Sequence, residues 1–106
     1  MKIIIDECVP NIVKKRLPRF GISTVRLEGW GGKKNGELLK LVEEKFDVFV
    51  TSDKNLKYQQ NVADRKLAII LLPSNQVPVV QRLLPDIEIA FDSVEAGEFV
   101  EILDES

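Results

Sequence analysis

The chain contains no histidine and a single cysteine, Cys8, among its 106 residues. Without histidine the commonest general base and the commonest zinc ligand are both missing, so neither a Ser-His-Asp nor a Cys-His site can be assembled from this sequence. One cysteine makes no intrachain disulfide and no thiolate zinc site. With no imidazole to activate it, Cys8 reads as a small buried apolar residue rather than a nucleophile. Long hydrophobic runs are also missing: the longest, Leu67 to Leu72, is far too short to span a bilayer. The opening MKIIIDE lacks the apolar core and cleavage site of a secretory leader, and a cytoplasmic protein with no membrane association is the expectation. Carboxylates, amides, hydroxyls and the Lys and Arg side chains are left to carry any chemistry.

What is there is ordinary for a folded protein, with 44% apolar and 30% charged residues. That composition predicts a single domain over residues 1–106, able to bury a core without metal or disulfide staples. The net charge of −2 conceals a division. Residues 1–66 hold 14 Lys and Arg against 9 acids, whereas residues 67–106 hold Arg82 alone against 8 acids. A basic part attracts polyanions, which points to nucleic acid, although surface charge of either sign also serves solubility.

Along the chain, apolar runs of strand type alternate with helical periodicity. Lys2 to Ile5 predicts a strand, and after Pro10 the residues Ile12, Val13, Arg16 and Leu17 recur at helical spacing. Pro18 and Gly21 end that helix, and Ile22 to Leu27 alternates as a second strand. EGWGGKKNG, Glu28 to Gly36, carries four glycines in nine residues and predicts a loop. A helix over Glu37 to Lys45, a strand over Val48 to Thr51 and a helix over roughly Lys54 to Gln60 follow. Leu67 to Leu72 is unbroken apolar sequence, the mark of a strand buried on both faces, and Pro78 to Leu84 is helical. IEIAFDSV fits both periods. Helix is preferred, because Gly97 then stops it and Phe99 to Leu103 forms an edge strand. Strands separated by helices predict right-handed crossovers and a three-layer α/β/α sandwich with a mostly parallel central sheet.

In such sheets ligands bind beyond the carboxyl ends of the strands. Asp6 follows the first strand and Asp53 the third, so both acids fall on that edge. Glu37 lies in the first turn of the helix that leads into the third strand, where a short loop can bring it to the same cluster. Converging carboxylates repel one another unless a cation compensates. Their hard oxygens suit Mg²⁺ or Mn²⁺, which take one or two carboxylates plus waters and a substrate phosphate. The matching chemistry is metal-assisted phosphodiester hydrolysis. The competing reading is that Asp6 and Asp53 cap the helices they precede, worth about 1 kcal/mol each, and that Glu37 is an ordinary first-turn acid. Spacing alone favours capping.

IIIDECVP at the start, GWGGKKNGELL in the middle, VFVTSDKNLKYQQN after the third strand and an apolar strand ending in PSN together resemble the PIN-like nucleases. The resemblance is to the branch of short bacterial proteins expected to be toxins of toxin–antitoxin pairs, and it runs in order along nearly the whole chain. It implies a PIN-like α/β/α fold and a Mg²⁺- or Mn²⁺-dependent ribonuclease site formed by Asp6, an acid near the start of the middle helix, and Asp53. RNA, in single-stranded form, and an antitoxin protein are the implied partners; a homo-oligomer is left open. Where many relatives carry an Asp opening the middle helix, this chain has Asn35, with Glu37 two residues on as a substitute ligand. Where many have a second Asp after the third strand, it has Asn55. The alternative is therefore a catalytically silent PIN-like module that binds nucleic acid or a partner.

Other residues are candidates for substrate contact. Lys33 and Lys34 on the glycine-rich loop can meet phosphates or simply be solvated. Trp30 can stack on an unpaired base or pack over the sheet edge. The amides of Asn35, Asn55 and Gln59 donate and accept without charge, which suits substrate or metal-bound water. Thr51 and Ser52 can orient the Asp53 carboxylate, with capping by Ser52 the simpler account.

Overall fold

Runs of Ile, Val and Leu too short to span more than a few ladder positions build the centre of the molecule. The computed structural model describes residues 1–33, 35–58 and 65–104. In chain order these form β1 (Ile3–Ile5), α1 (Ile12–Arg16), β2 (Ser23–Thr24), α2 (Asn35–Lys45), β3 (Val48–Thr51), β4 (Ala68–Leu71), α3 (Val77–Arg82), α4 (Leu84–Ser93) and β5 (Phe99–Glu101), with 3₁₀ turns at Pro18–Phe20 and Lys54–Tyr58. The five strands make one sheet in the order β2-β1-β3-β4-β5, and every neighbouring pair is parallel.

Parallel strands must be covered on both faces, and β1, β3 and β4 are buried at every position. The two-residue alternation of each strand divides the cover. Ile3, Ile5, Val48, Val50, Ala68 and Ile70 pack with Val13 of α1, Val80 of α3 and Ile87 and Phe91 of α4. Ile4, Phe49 and Ile69 face the other way, against Leu38, Leu39, Val42 and Phe46 of α2. The result is an α/β protein of three layers.

Several boundaries differ from the expectation. The second strand is two residues long rather than six, because the chain turns after Thr24: the Leu27 amide donates to Thr24 Oγ1 at 3.0 Å and the Gly29 amide to the Arg26 carbonyl at 3.0 Å. The middle helix starts at Asn35 instead of Glu37. The helix predicted over Pro78 to Leu84 is broken at Leu83, and Pro85 opens α4, where its missing N–H costs nothing. The helix predicted from Lys54 is a 3₁₀ turn as far as Tyr58, and its predicted end at Gln60 lies outside the described residues. Gly97 ends the stretch after α4 with φ of 79°, and a Cβ there would stand 3.1 Å from the Arg65 carbonyl oxygen, so glycine is required.

The crossovers do not all share one hand, which corrects the expectation of uniformly right-handed ones. From β1 to β2 the chain steps one way across the sheet with α1 on one face. From β4 to β5 it steps the opposite way, yet α3 and α4 lie on that same face. Two crossovers that step in opposite directions over one face have opposite hands. The right-handed rule arises from a twisted strand feeding directly into one helix; the β4–β5 connection carries two helices, and its length frees it to cover α1. Phe20 meets Phe91 edge-on there, with ring centroids 5.0 Å apart. Among the described residues no helix is long and apolar enough to cross a membrane.

Candidate functional site

The strand order reverses at β1. Its successor β2 lies on one side and the next strand, β3, on the other; α1 leaves the tip of β1 over one face, and the 3₁₀ turn after β3 buries Leu56 against the other. A crevice at such a switch point is where doubly wound sheets place ligands. Asp6 follows β1 directly, and Ser52 and Asp53 follow β3.

The ladder brings these tips into register. Ile5 pairs with Val50, and the Asp6 amide extends the pairing by donating to the Val50 carbonyl at 2.8 Å. Alternation then directs Asp6 and Thr51 to the side occupied by Ile4 and Phe49, and their side chains meet. Thr51, fully buried, donates from Oγ1 to Asp6 Oδ2 at 2.8 Å and accepts the Asp53 amide at 3.1 Å. One hydroxyl thus joins the carboxylate after β1 to the backbone of the acid after β3. The Glu7 amide donates to Asp6 Oδ1 at 2.8 Å, and the Cys8 thiol lies 3.5 Å from Asp6 Oδ2 and 3.7 Å from Thr51 Oγ1. Cys8 is half-buried against the core, as a small apolar residue would be, but its sulfur also touches the site.

The capping alternative divides between the two acids. Asp53 Oδ1 accepts the Asn55 amide at 3.0 Å and so caps the 3₁₀ turn that follows it. Asp6 caps no helix: α1 begins at Ile12, with Asn11 in its N-cap position. Thr51 orients Asp6 rather than the Asp53 carboxylate it adjoins in sequence.

Glu37 sits in the first turn of α2 with 64% of its side chain exposed, and its carboxylate pairs with Lys33 Nζ at 3.3 Å. Among the described residues no three His, Cys, Asp or Glu side chains group closely enough to hold a metal ion. Trp30 packs edge-on against Phe46 of α2 with ring centroids 6.2 Å apart, the sheet-edge role. Asn55 is exposed on the 3₁₀ turn. Asn35 opens α2, with its side chain outside the described part; Lys34 and Gln59 lie outside the described residues. Glu7, which the sequence did not single out, accepts the Gly32 amide at 2.9 Å and fastens the glycine-rich loop beside the β1 tip. Its signal was present: an acid adjoining Asp6, with a loop rich in free backbone N–H groups elsewhere in the chain.

Asp6 and Asp53 suit a hard divalent ion in their donor chemistry. Each carboxylate has about four lone-pair positions, and the bonds above leave part of that capacity on Asp6. Mg²⁺ asks for one or two carboxylates, with waters and substrate completing its shell. Toward α1 and α3 a groove of about 690 Å³ opens from Asp6 and Glu7, and Lys14 and Arg26 on its wall offset those two acids.

The fold and site therefore define a doubly wound α/β protein with two carboxylates at its switch point. Compared with protein-family models, curated proteins and solved structures, the chain finds no match.

Proposed function

We propose that the protein is a metal-dependent phosphodiester hydrolase of PIN-like type, acting on RNA as the toxin of a toxin–antitoxin pair. The observation that carries the reading is the Thr51 hydroxyl, which ties the Asp6 carboxylate to the Asp53 backbone across the switch-point crevice. A buried hydroxyl spent on an acid that caps no helix makes little sense as stabilisation alone and good sense as orientation.

Asp6 and Asp53 would hold Mg²⁺ or Mn²⁺, which when bound supplies an activated water and a positive charge for the leaving oxygen. Thr51 and the Glu7 amide fix the Asp6 carboxylate so that little reorganisation is needed on binding. The side-chain amide of Asn55, on the exposed turn that follows Asp53, donates to a substrate phosphate, and Lys33 adds positive charge at the rim. Glu37 serves as a third, outer carboxylate once Lys33 turns to substrate.

The test is cleavage of a single-stranded RNA with and without Mg²⁺ or Mn²⁺. Asp6→Asn and Asp53→Asn each lower the rate at least about hundredfold, with the circular dichroism spectrum unchanged. Cleavage indifferent to both substitutions overturns the reading. The engagement of Glu37 by Lys33 favours the second reading, a silent binding module. That module would give salt-sensitive RNA binding with no turnover.

A further inference from the structure

Apart from Asp6 and Glu7, the residues that line the groove beside Asp6 have no part in the hydrolysis just described. Asn11 holds the N-cap position of α1 without making a side-chain cap bond, so its amide is spared for the groove it lines. Asn75, arriving from the end of β4, lines the same groove; among the described residues its Oδ1 accepts only the neighbouring Gln76 side-chain amide, at 3.3 Å. Leu27 and Val77 contribute large apolar side chains that are 67% and 49% exposed. Arg26 is exposed, and no hydrogen bond or ion pair engages its guanidinium among the described residues.

Charge decides what such a groove can hold. Lys14 and Arg26 balance Asp6 and Glu7, so a bare phosphate gains little by entering. An uncharged group with apolar faces and a polar edge matches better: the faces cover Leu27 and Val77, and the edge meets two amides that both donate and accept. A volume of about 690 Å³ falls in the usual small-ligand range of roughly 300–1,000 Å³. We infer that the groove between the tips of β1 and β2 and the starts of α1 and α3 receives one unpaired nucleobase of the substrate strand, adjacent to the cleavage position. A base inside a duplex cannot enter it, so the enzyme selects single strands and prefers one base at that position. The inference rests on the hydrolase reading only in placing the base next to Asp6.

Asp53 does not line the groove, so the full-length Asp53→Asn protein, in which cleavage is expected to be at least about hundredfold slower, serves as host. Five-nucleotide homopolymers of A, C, G and U are titrated against it by fluorescence anisotropy, with a hairpin duplex as comparison. One homopolymer binds about tenfold tighter than the weakest, as expected of amide contacts to a base edge, and the duplex binds worse than any single strand. Asn75→Ala or Asn11→Ala abolishes that preference, while Arg26→Ala weakens all four homopolymers alike. Equal affinity for all four, a preference that survives both Asn substitutions, or tighter binding of the duplex overturns the inference. Circular dichroism confirms that each variant is folded, and because both Asn residues are exposed the two variants check each other. Base-selective binding in a wild-type protein that never cleaves would sink the hydrolase and leave the groove standing. Cleavage without base preference would do the reverse.

Discussion

At the scale of single residues, Thr51 is the most informative side chain. Its hydroxyl has no exposure to solvent and meets the Asp6 carboxylate, the Asp53 amide and the Cys8 sulfur, so removing it takes a partner from a part-buried donor and a part-buried acceptor together. Thr51→Val is expected to lower stability by about 1–3 kcal/mol in urea unfolding and kcat/KM by about tenfold to hundredfold. A purely structural hydroxyl would leave the Mn²⁺ concentration for half-maximal rate unchanged, whereas an orienting one raises it. Thr51→Ser restores both. Asp6 and Asp53 were legible because an acid after a buried apolar run must emerge at a strand tip, whatever the rest of the fold. Glu37 was not so legible, since its place depends on how the loop before α2 enters that helix, and local spacing carries no record of that. Thr51 was assigned to its sequence neighbour, because only the β1–β3 register reveals that it faces Asp6.

At the scale of elements, strands with unbroken apolar runs were read almost to the residue, whereas β2 was not. Ile22 to Leu27 alternates well enough for a strand, but the Thr24 hydroxyl and Gly29 turn the backbone away before a third ladder position forms. A connection on that short strand is anchored by Glu28, which accepts 2.7 Å hydrogen bonds from Lys45 at the end of α2 and from Ser23 in β2. The Lys45 bond, then the Ser23 bond, hold the Glu28 carboxyl below its ordinary pKa. A depressed native pKa contributes stability above the unfolded value and loses it as pH falls through the native one. Glu28→Gln is therefore less stable than the wild type at pH 7, and the two thermal midpoints converge as the pH drops below the carboxylate range. A gap that persists at low pH would assign the effect to packing. Gly97→Ala, at a positive φ beside the Arg65 carbonyl, should lower stability by at least about 1 kcal/mol in the same unfolding assay. The hand of the β4–β5 crossover was beyond the sequence, because the periodicity of α3 and α4 shows that each has an apolar face but not which side of the sheet receives it.

At the scale of the whole molecule, the charge division along the sequence is bridged where the turn at Pro18–Phe20 meets α4. Arg19, from the basic part, lies 4.0 Å over the Phe20 ring and pairs with Glu88 and Asp92 of α4, in the acidic part. Exposed pairs of this kind contribute little stability; their effect is to mute the acidic half where it meets the basic one. The proposed function rests instead on distant residues folding toward one edge of the sheet. The direct measurement is paramagnetic broadening of the amide spectrum of ¹⁵N-labelled protein by substoichiometric Mn²⁺. The amide signals of Asp6, Glu7, Thr51 and Asp53 should fade first in the wild type and stay sharp in Asp6→Asn. Broadening centred on another part of the molecule, or identical in the variant, would contradict a shared ion site between the tips of β1 and β3.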